Sequence, residues 1–327
     1  METRAVVWSG PKQAEYRTVS LEDPKPGEIL IESVYSLVSP GTEREWLTSD
    51  DSHAVLGTTF PFVPGYSVAG RVVALGANVT GLSVGDRIVA GPGTGCHAAH
   101  VIAPVDTVFP VPDEVPLRSA VFFNLGTTAA HTVRLSGARL GDSLSIVGQG
   151  PIGLLATQIA AAQGIWPILA LDLDPDRRAA ALTHGATYTA DPTDAAFDTV
   201  LTRVGGGSQA SIDLSGAPAG INTALRVTAP LGTVVLSSGM TAPISLDYGS
   251  LFIKGITMIG ALVAARPAEM KKDTENFLRL IATGVVTTPD RDEDVYDPAA
   301  AAQVYERVLG GDRALTAPLF AWHPDAA

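Results

Sequence analysis

Three glycines in the segment "VGQGPIG" have the spacing that lets a backbone bind a dinucleotide. An apolar run of strand length, "SLSIVG", precedes them, and a helical pattern follows with Pro151 and Ile152 in its first turn. Gly148 permits the tight turn, Gly150 lets the backbone approach a pyrophosphate, and Gly153 lets the helix pack on the strand. The helix N-terminus favours the phosphate charge. The segment therefore predicts a dinucleotide site that includes these residues.

Asp172 ends the next predicted strand, "ILALD", about 20 positions after the last glycine. A carboxylate there accepts hydrogen bonds from both hydroxyls of the adenosine ribose and repels a 2′-phosphate. The sequence therefore predicts NAD(H) rather than NADP(H). Arg177 is a candidate cofactor contact because arginine can bind a 2′-phosphate. The alternative is that Arg177 and Arg178 are solvated residues on the following helix.

Tyr66 and Ser67 stand where the Pro-Gly turn of "VPGYSVAG" passes into an apolar run. These side chains either close the turn or face a reaction. A phenol is a hydrogen-bond donor with an ordinary pKa of about 10. The positive charge of an oxidised nicotinamide would lower that pKa. A tyrosine that only closes the turn would pack its ring and leave its hydroxyl in water.

Two kinds of pattern describe the elements that must position these residues. Up to about residue 122, short β-branched runs alternate with Gly, Pro, Asn and Asp, which predicts a mostly antiparallel β domain. From about residue 124, strands and helices alternate, which predicts a doubly wound parallel sheet. The last segment contains two helices and a strand and is expected to return to the first domain. The predicted fold is α/β with two domains. Residues 1–123 together with 263–327 form one domain, and residues 124–262 form the other.

Composition limits the class of protein. The chain has 327 residues, 46% of them hydrophobic, and a net charge of −12, so it lacks the basic surface that nucleic acid requires. No apolar run reaches the roughly 18 residues of a membrane helix, and the N-terminus lacks a signal-peptide layout, so we expect a cytoplasmic protein. Cys96 is the only cysteine, which excludes intrachain disulfides and multi-thiolate zinc sites.

Five segments in order resemble one superfamily, the medium-chain dehydrogenases/reductases, which includes zinc alcohol dehydrogenases, polyol dehydrogenases and quinone reductases. They are "PGYSVAGRVVALGANVTGLSVGDRIV", "GTTAAHTV", "LGDSLSIVGQGPIGLLATQIA", "IDLSGAP" and "SLFIKGITMIGALV". The resemblance implies a GroES-like catalytic domain with a Rossmann domain inserted in it. It also implies NAD(H) as cofactor, a small hydroxyl or keto substrate, and a homodimer or homotetramer.

The resemblance places Ser39, Tyr66 and Asn124 at the positions where zinc members hold their catalytic metal. A hydroxyl, a phenol and an amide offer neither thiolate nor imidazole, so they would bind Zn²⁺ poorly. The segment "CHAAH" at 96–100 is a rival metal motif. In a strand its two histidines would point to opposite faces, which argues against a shared ion. We therefore expect a zinc-free site.

Without zinc, the substrate oxygen needs hydrogen-bond donors and a general acid or base. Tyr66 is the best candidate for that acid. The resemblance places Thr42 where a hydroxyl relays the substrate proton, and Glu43 next to it, where a carboxylate could polarise the relay.

Three further residues are candidates for the same chemistry. Asn124 and Ser39 could donate to the substrate oxygen, or they could instead bond the loop backbone. His53 lies in "SDDSHAVLGTTFPF", a loop that borders the substrate site in the family, and it is a candidate base of tunable pKa. The alternative for His53 is an exposed loop histidine.

The resemblance also suggests cofactor contacts beyond the glycine turn. Thr128 is expected near the nicotinamide end. The loops after "IDLSG" and "VVLSSG" are expected near the nicotinamide and its ribose; these loops contain Ser215, Gly216, Ser238 and Gly239.

The function that these residues favour is zinc-independent, NAD(H)-dependent interconversion of a secondary alcohol and a ketone. The "SPGTE" turn resembles that of zinc-less members, including the bacteriochlorophyllide-dehydrogenase-like branch, which act on secondary hydroxyls of biosynthetic intermediates. One alternative is a quinone- or enoyl-type C=C reductase, although those relatives usually carry an "AAGGVG"-like loop and prefer NADPH. The other alternative is a dinucleotide-binding protein without net redox activity.

Overall fold

A computed structural model describes residues 1–48, 59–239 and 243–323. The chain divides into two compact units, Met1–Asn124 with Thr288–Ala327, and Leu125–Thr287. The first unit contains mainly antiparallel strands, and the second contains parallel strands with helices. This architecture confirms the predicted α/β fold class.

The first unit is built around a long central strand. Strand β3 pairs with β4, β15 and β6 in antiparallel register, and the sheet order is β14-β15-β3-β4-β5-β7. Strands β1 and β2 form a separate antiparallel ribbon. The strands are β1 (Glu2–Gly10), β2 (Gln13–Ser20), β3 (Glu28–Leu37), β4 (Val68–Leu75), β5 (Arg87–Ala90), β6 (His100–Pro104), β7 (Val108–Pro110), β14 (Val295–Tyr296) and β15 (Leu319–Ala321).

Helices bring the polar candidates of the first unit to the segment that precedes β4. Helix α1 (Pro40–Thr48) follows β3 directly and begins in the segment predicted as a turn. Helix α2 (Leu117–Ala120) precedes α3 (Phe123–Ser136), and α10 (Ala301–Gly310) packs beside α1. The buried residues of α10, including Val304 and Val308, join Trp8 and Leu47 in one apolar cluster. This cluster holds α1 in place.

The second unit has a six-stranded parallel sheet in the order β10-β9-β8-β11-β12-β13. Its strands are β8 (Leu144–Val147), β9 (Ile168–Leu171), β10 (Tyr188–Ala190), β11 (Ser208–Asp213), β12 (Thr228–Leu236) and β13 (Thr257–Gly260). Its helices are α4 (Pro151–Ala162), α5 (Pro175–Thr183), α6 (Phe197–Arg203), α7 (Pro218–Val227), α8 (Tyr248–Lys254) and α9 (Pro267–Ala282). The strand order reverses between β8 and β11, and open α/β sheets bind ligands at the carboxyl ends beside such a point.

Helix α9 belongs to the second unit, whereas the sequence-based division placed it in the first. The reason is its packing on α3. Asp273 accepts a hydrogen bond from Arg134 at 2.7 Å, and the hydroxyls of Thr127 and Thr274 lie 2.8 Å apart. The amphipathic pattern of α9 predicts a helix, but it does not indicate which domain covers the apolar face.

Within the described ranges, no helix is long and apolar enough to cross a membrane.

Candidate functional site

The glycine turn after β8 has the geometry that a dinucleotide requires. Gly148 adopts φ +92°, and a Cβ there would come within 2.9 Å of the Leu214–Ser215 backbone. A Cβ on Gly153 would lie 2.0 Å from the carbonyl oxygen of Gly148. Gly150 caps α4 and faces open space, with no atom within 4 Å of a Cβ. Gly148 and Gly153 are thus required by packing, and Gly150 leaves room for a ligand.

Asp172 is fixed beside this turn. Its Oδ2 accepts from the backbone N–H of Gln149 at 2.7 Å, and its Oδ1 accepts from the N–H of Asp174 at 2.9 Å. The guanidinium of Arg178 donates to the carbonyl oxygens of Asp172 and Leu173. Each carboxylate oxygen keeps a second acceptor position, so the arrangement fits a ribose diol.

The two loops predicted near the nicotinamide are joined by Asp213, a buried carboxylate at the end of β11. Ser215 and Ser238 donate their hydroxyls to it at 2.7 and 2.6 Å, and Ser238 accepts from the N–H of Gly216 at 3.0 Å. Burial raises the pKa of Asp213, and the serine hydrogen bonds oppose that rise. Asp213 lies in the segment "IDLSG" but was not among the predicted site residues; an acid at the end of a buried strand was the available signal.

The remaining predicted cofactor residues lie near the same edge of the sheet or on adjoining helices. Pro151 and Ile152 form the first turn of α4 and are partly buried. Arg177 is partly buried in the first turn of α5, and Thr128 is partly buried on α3. Gly239 is exposed after β12. Their contact with a cofactor stays a prediction.

In the first unit, the structure brings Tyr66 together with Ser39 and Thr42. The Ser39 Oγ lies 3.4 Å from the Thr42 Oγ1, and both residues hydrogen-bond to the Tyr66 side chain. Burial raises the pKa of Tyr66 to about 12; the hydrogen bonds from Ser39 and Thr42 oppose this rise, and the charge of Glu43 adds to it. The Trp46 ring lies 5.6 Å from the Tyr66 ring. The phenol therefore keeps its proton at neutral pH.

Glu43 is fully buried. Its carboxylate oxygens accept hydrogen bonds from groups that no sequence pattern connects with it. It accepts from the N–H of Ser39, from His97 and from the hydroxyl of Tyr305. His97 precedes β6, so the strand geometry assumed for "CHAAH" does not apply to it. His100 instead pairs with Thr3, with 3.2 Å between Nδ1 and Oγ1.

Asn124 supports the backbone beside the phenol. Its Nδ2 donates to the carbonyl oxygen of Tyr66 at 2.6 Å, and a Cβ on Gly91 would come within 2.8 Å of that nitrogen. Ser67 is buried, and its hydroxyl donates to the carbonyl oxygen of Val121 at 2.7 Å. Ser67 therefore closes the turn, whereas the side chain of Tyr66 lies with the hydroxyls. His53 lies outside the described residues.

In the part of the chain that the structure describes, no group of three or more His, Cys, Asp or Glu side chains could hold a metal ion.

Comparisons with known proteins agree with this architecture. Residues 25–113 match the family model for the alcohol dehydrogenase GroES-like domain, and residues 151–283 match that for zinc-binding dehydrogenase. The chain is 30% identical to 2-desacetyl-2-hydroxyethyl bacteriochlorophyllide A dehydrogenase of Cereibacter sphaeroides, covering 78% of this chain and 79% of that protein. It is 26% identical to (R,R)-butanediol dehydrogenase of Bacillus subtilis, covering 79% and 84%.

A solved structure shares the same fold. A short chain alcohol dehydrogenase from Escherichia coli CFT073, complexed with NADH, superimposes with a TM-score of 0.83 at 15% identity, over 98% of this chain and 99% of that one. The GroES-like and Rossmann domains predicted from the resemblance are therefore confirmed, and NAD is consistent with a family that depends on NAD(P). The chain belongs to the zinc-type alcohol dehydrogenase family of the medium-chain dehydrogenases/reductases, a family of oxidoreductases that act on CH–OH groups.

Proposed function

We propose that the chain is a zinc-independent, NAD(H)-dependent alcohol dehydrogenase or ketone reductase. Its substrate is proposed to be a secondary alcohol or ketone of a small biosynthetic intermediate. The observation that carries the proposal is the placement of Tyr66, whose phenol lies with the hydroxyls of Ser39 and Thr42 at the position where the resemblance places a zinc-binding histidine.

Tyr66 is proposed as the general acid. In the reductive direction, its phenol donates a proton to the carbonyl oxygen while a hydride reaches the carbonyl carbon, so the product is a neutral alcohol. When bound, NADH supplies that hydride. Ser39 and Thr42 stabilise the resulting phenolate by hydrogen bonds, and a proton taken up from solvent and passed along these hydroxyls restores the phenol. General acid catalysis of this kind contributes roughly 10²–10⁴-fold in rate.

The side chains at the three family ligand positions support zinc independence. Tyr66 offers a phenol in place of the imidazole that the resemblance implies at this position. Asn124 turns its amide N–H toward the backbone of Tyr66, and Ser39 offers only a hydroxyl. Zn²⁺ in proteins prefers thiolate, imidazole or carboxylate ligands, and none of these three residues provides one.

The acid at the end of β9 supports NAD(H). Asp172 is held by two backbone N–H groups, so its charge stays beside the place where a 2′-phosphate would lie. The names of the two relatives, which specify a hydroxyethyl group and a diol, support an alcohol substrate.

A homodimer or homotetramer that forms through the Rossmann sheets is proposed as well. Strand β13 is an edge strand of the six-stranded sheet, and Ile253 and Leu262 near it are strongly exposed. The molar mass from light scattering tests this assembly: a monomer would contradict it.

The function is tested by combining metal analysis, nucleotide titration and one variant. We expect no stoichiometric zinc, tighter binding of NADH than of NADPH, and turnover of a secondary alcohol or ketone panel. Tyr66→Phe should lower kcat at least about tenfold and leave the Kd of NADH intact, because only the acid is removed. Turnover at the wild-type rate in this variant would assign Tyr66 to structure.

The other outcomes identify the alternatives. Stoichiometric zinc would contradict zinc independence. Tighter binding of NADPH would favour a C=C reductase, and NADH binding without turnover of any hydroxyl or keto compound would favour a protein without net redox activity.

A further inference from the structure

Glu43 is a buried carboxylate that accepts hydrogen bonds from three separate parts of the chain. The N–H of Ser39 donates to its Oε1 at 2.9 Å, and the Tyr305 hydroxyl donates to its Oε2 at 2.5 Å. The Nε2 of His97 lies 3.2 Å from the same Oε2. Glu43 and His97 are 0% exposed, and Tyr305 is 1% exposed. A buried carboxylate that lacks such donors is costly, so these three groups account for its presence.

A series of hydrogen bonds connects Trp322 to Glu43 through Ser36 and His97. The indole Nε1 of Trp322 can only donate, and it donates to the Ser36 Oγ at 3.0 Å. The Ser36 Oγ in turn lies 2.8 Å from the Nδ1 of His97. The Nε2 of His97 faces the carboxylate of Glu43, and because a carboxylate can only accept, this nitrogen donates to it. Each group in this series has a hydrogen-bond partner, and the series ends at the carboxylate of Glu43.

His97 also fixes the turn that presents Tyr66. Gly65 lies against the face of the imidazole, where a Cβ would come within 2.7 Å of three ring carbons. The N–H of His97 donates to the carbonyl oxygen of Pro64 at 3.0 Å, and the N–H of Cys96 donates to that of Gly65 at 3.1 Å. His97 thus holds the backbone of the turn that precedes Tyr66, and Glu43 holds the backbone N–H of Ser39.

We infer that Glu43, His97 and Tyr305 form a buried anchor that positions Ser39 and Thr42 against the phenol of Tyr66. His97 and Tyr305 are positioning residues, because they act through Glu43 and through the turn. The inference rests on the proposed function for its chemical meaning, whereas the contacts of the buried anchor do not depend on that function.

Tyr305→Phe is the most informative variant. It deletes one hydroxyl and leaves Glu43 with two donors, so the fold should persist. We expect kcat to fall roughly tenfold, since small displacements of reacting groups have effects of this size or larger. The Kd of NADH should stay within about twofold, because the glycine turn lies in the other compact unit.

Tyr296→Phe is the matched control. It also deletes one tyrosine hydroxyl of the first unit, one that bonds Arg307 at 2.5 Å, and kcat should stay within about twofold of wild type. A second pair of variants tests His97: glutamine can both donate and accept, so His97→Gln should retain more of kcat than His97→Leu. If both His97 variants prove unstable, the comparison of Tyr305→Phe with Tyr296→Phe still tests the inference.

A measurement without substrate separates this inference from the proposed function. In ¹³C-tyrosine-labelled protein, the Cζ signal of Tyr66 is the one that disappears in Tyr66→Phe. We expect it to shift in Tyr305→Phe and to remain in place in Tyr296→Phe. An unshifted Tyr66 signal together with wild-type kcat in Tyr305→Phe would overturn the inference. A shifted signal in a protein that turns over no alcohol or ketone would uphold the anchor and contradict the proposed function.

Discussion

Replacing Tyr66 by phenylalanine should change how the stability of the protein depends on alkaline pH. The folded protein holds the phenol with a pKa of about 12, chiefly because it is buried, whereas the unfolded chain releases the proton near pH 10. The unfolded state therefore binds fewer protons than the folded state between these values. The stabilisation is fully present below about pH 10 and is lost as the pH rises toward about 12.

The magnitude follows from the two pKa values. At about pH 11 the wild type should lose about 1 kcal/mol of unfolding free energy through this one group, and the full loss above both values is about 3 kcal/mol. Burial also raises the pKa of Tyr305 and of Cys96, so these groups destabilise the alkaline protein as well. They are present in both proteins, and the difference between wild type and variant removes their effect.

Urea unfolding followed by tryptophan fluorescence measures this difference. Trp8, Trp46 and Trp322 lie in the first unit with Tyr66, and Trp166 lies in the second, so the signal reports mainly the first unit. At about pH 8 the variant should be the less stable by about 1 kcal/mol, because the phenol hydrogen bonds are lost. At about pH 11 that deficit should disappear or reverse by a small amount.

A difference between the two proteins that stays constant from about pH 8 to pH 11 would refute the reasoning, since it would mean that the phenol is not held in its protonated form by burial. A control variant, Tyr248→Phe, removes a tyrosine that is 67% exposed on α8, and separates the effect of the site from the loss of a tyrosine as such.

Two further predictions concern the cofactor residues. Asp172→Ser should weaken NADH binding roughly tenfold or more and reduce the preference for NADH over NADPH, because a charge-assisted hydrogen bond contributes about 1.5–3 kcal/mol. Fluorescence titration with both nucleotides measures the two Kd values, and an unchanged ratio between them would contradict the prediction. Gly153→Ala should lower the Tm of the free protein, since its Cβ would lie 2.0 Å from a carbonyl oxygen. Gly150→Ala should leave that Tm unchanged and weaken only NADH binding, because no atom lies within 4 Å of its Cβ. Equal Tm values for the two variants would contradict the packing argument.

The turn geometry of the candidate cofactor site could be predicted from local sequence. Gly148, Gly150 and Gly153 lie close together in the sequence, so their spacing alone predicts the turn. Asp172 is predicted because it ends the next strand. Asp213 lies in the segment "IDLSG" but was not predicted as a site residue, because its hydrogen bond with Ser238 involves a different loop. Only the pairing of β11 with β12 brings those residues together.

The substrate part of the site could be predicted only in outline. The resemblance identified Tyr66, Ser39 and Thr42, and the structure places their side chains together. It left two roles open for Asn124, and the structure shows a backbone bond, because the amide donates to the carbonyl oxygen of Tyr66. It placed Glu43 where a carboxylate could polarise the relay, and the structure shows that this carboxylate is fully buried. Hydropathy and spacing do not distinguish a carboxylate that faces substrate from one that is buried among donors.

By itself, the sequence determined the two-part α/β architecture and the dinucleotide turn, because hydrophobic periodicity, turn residues and helix starts depend on neighbouring positions. Only the tertiary structure decided the environment of Tyr66. The groups that bond Glu43 include His97 and Tyr305, which are 54 and 262 positions away in the chain. Contacts of that range depend on how strands and helices pack, and burial there raises the pKa of Tyr66 and keeps its proton in place.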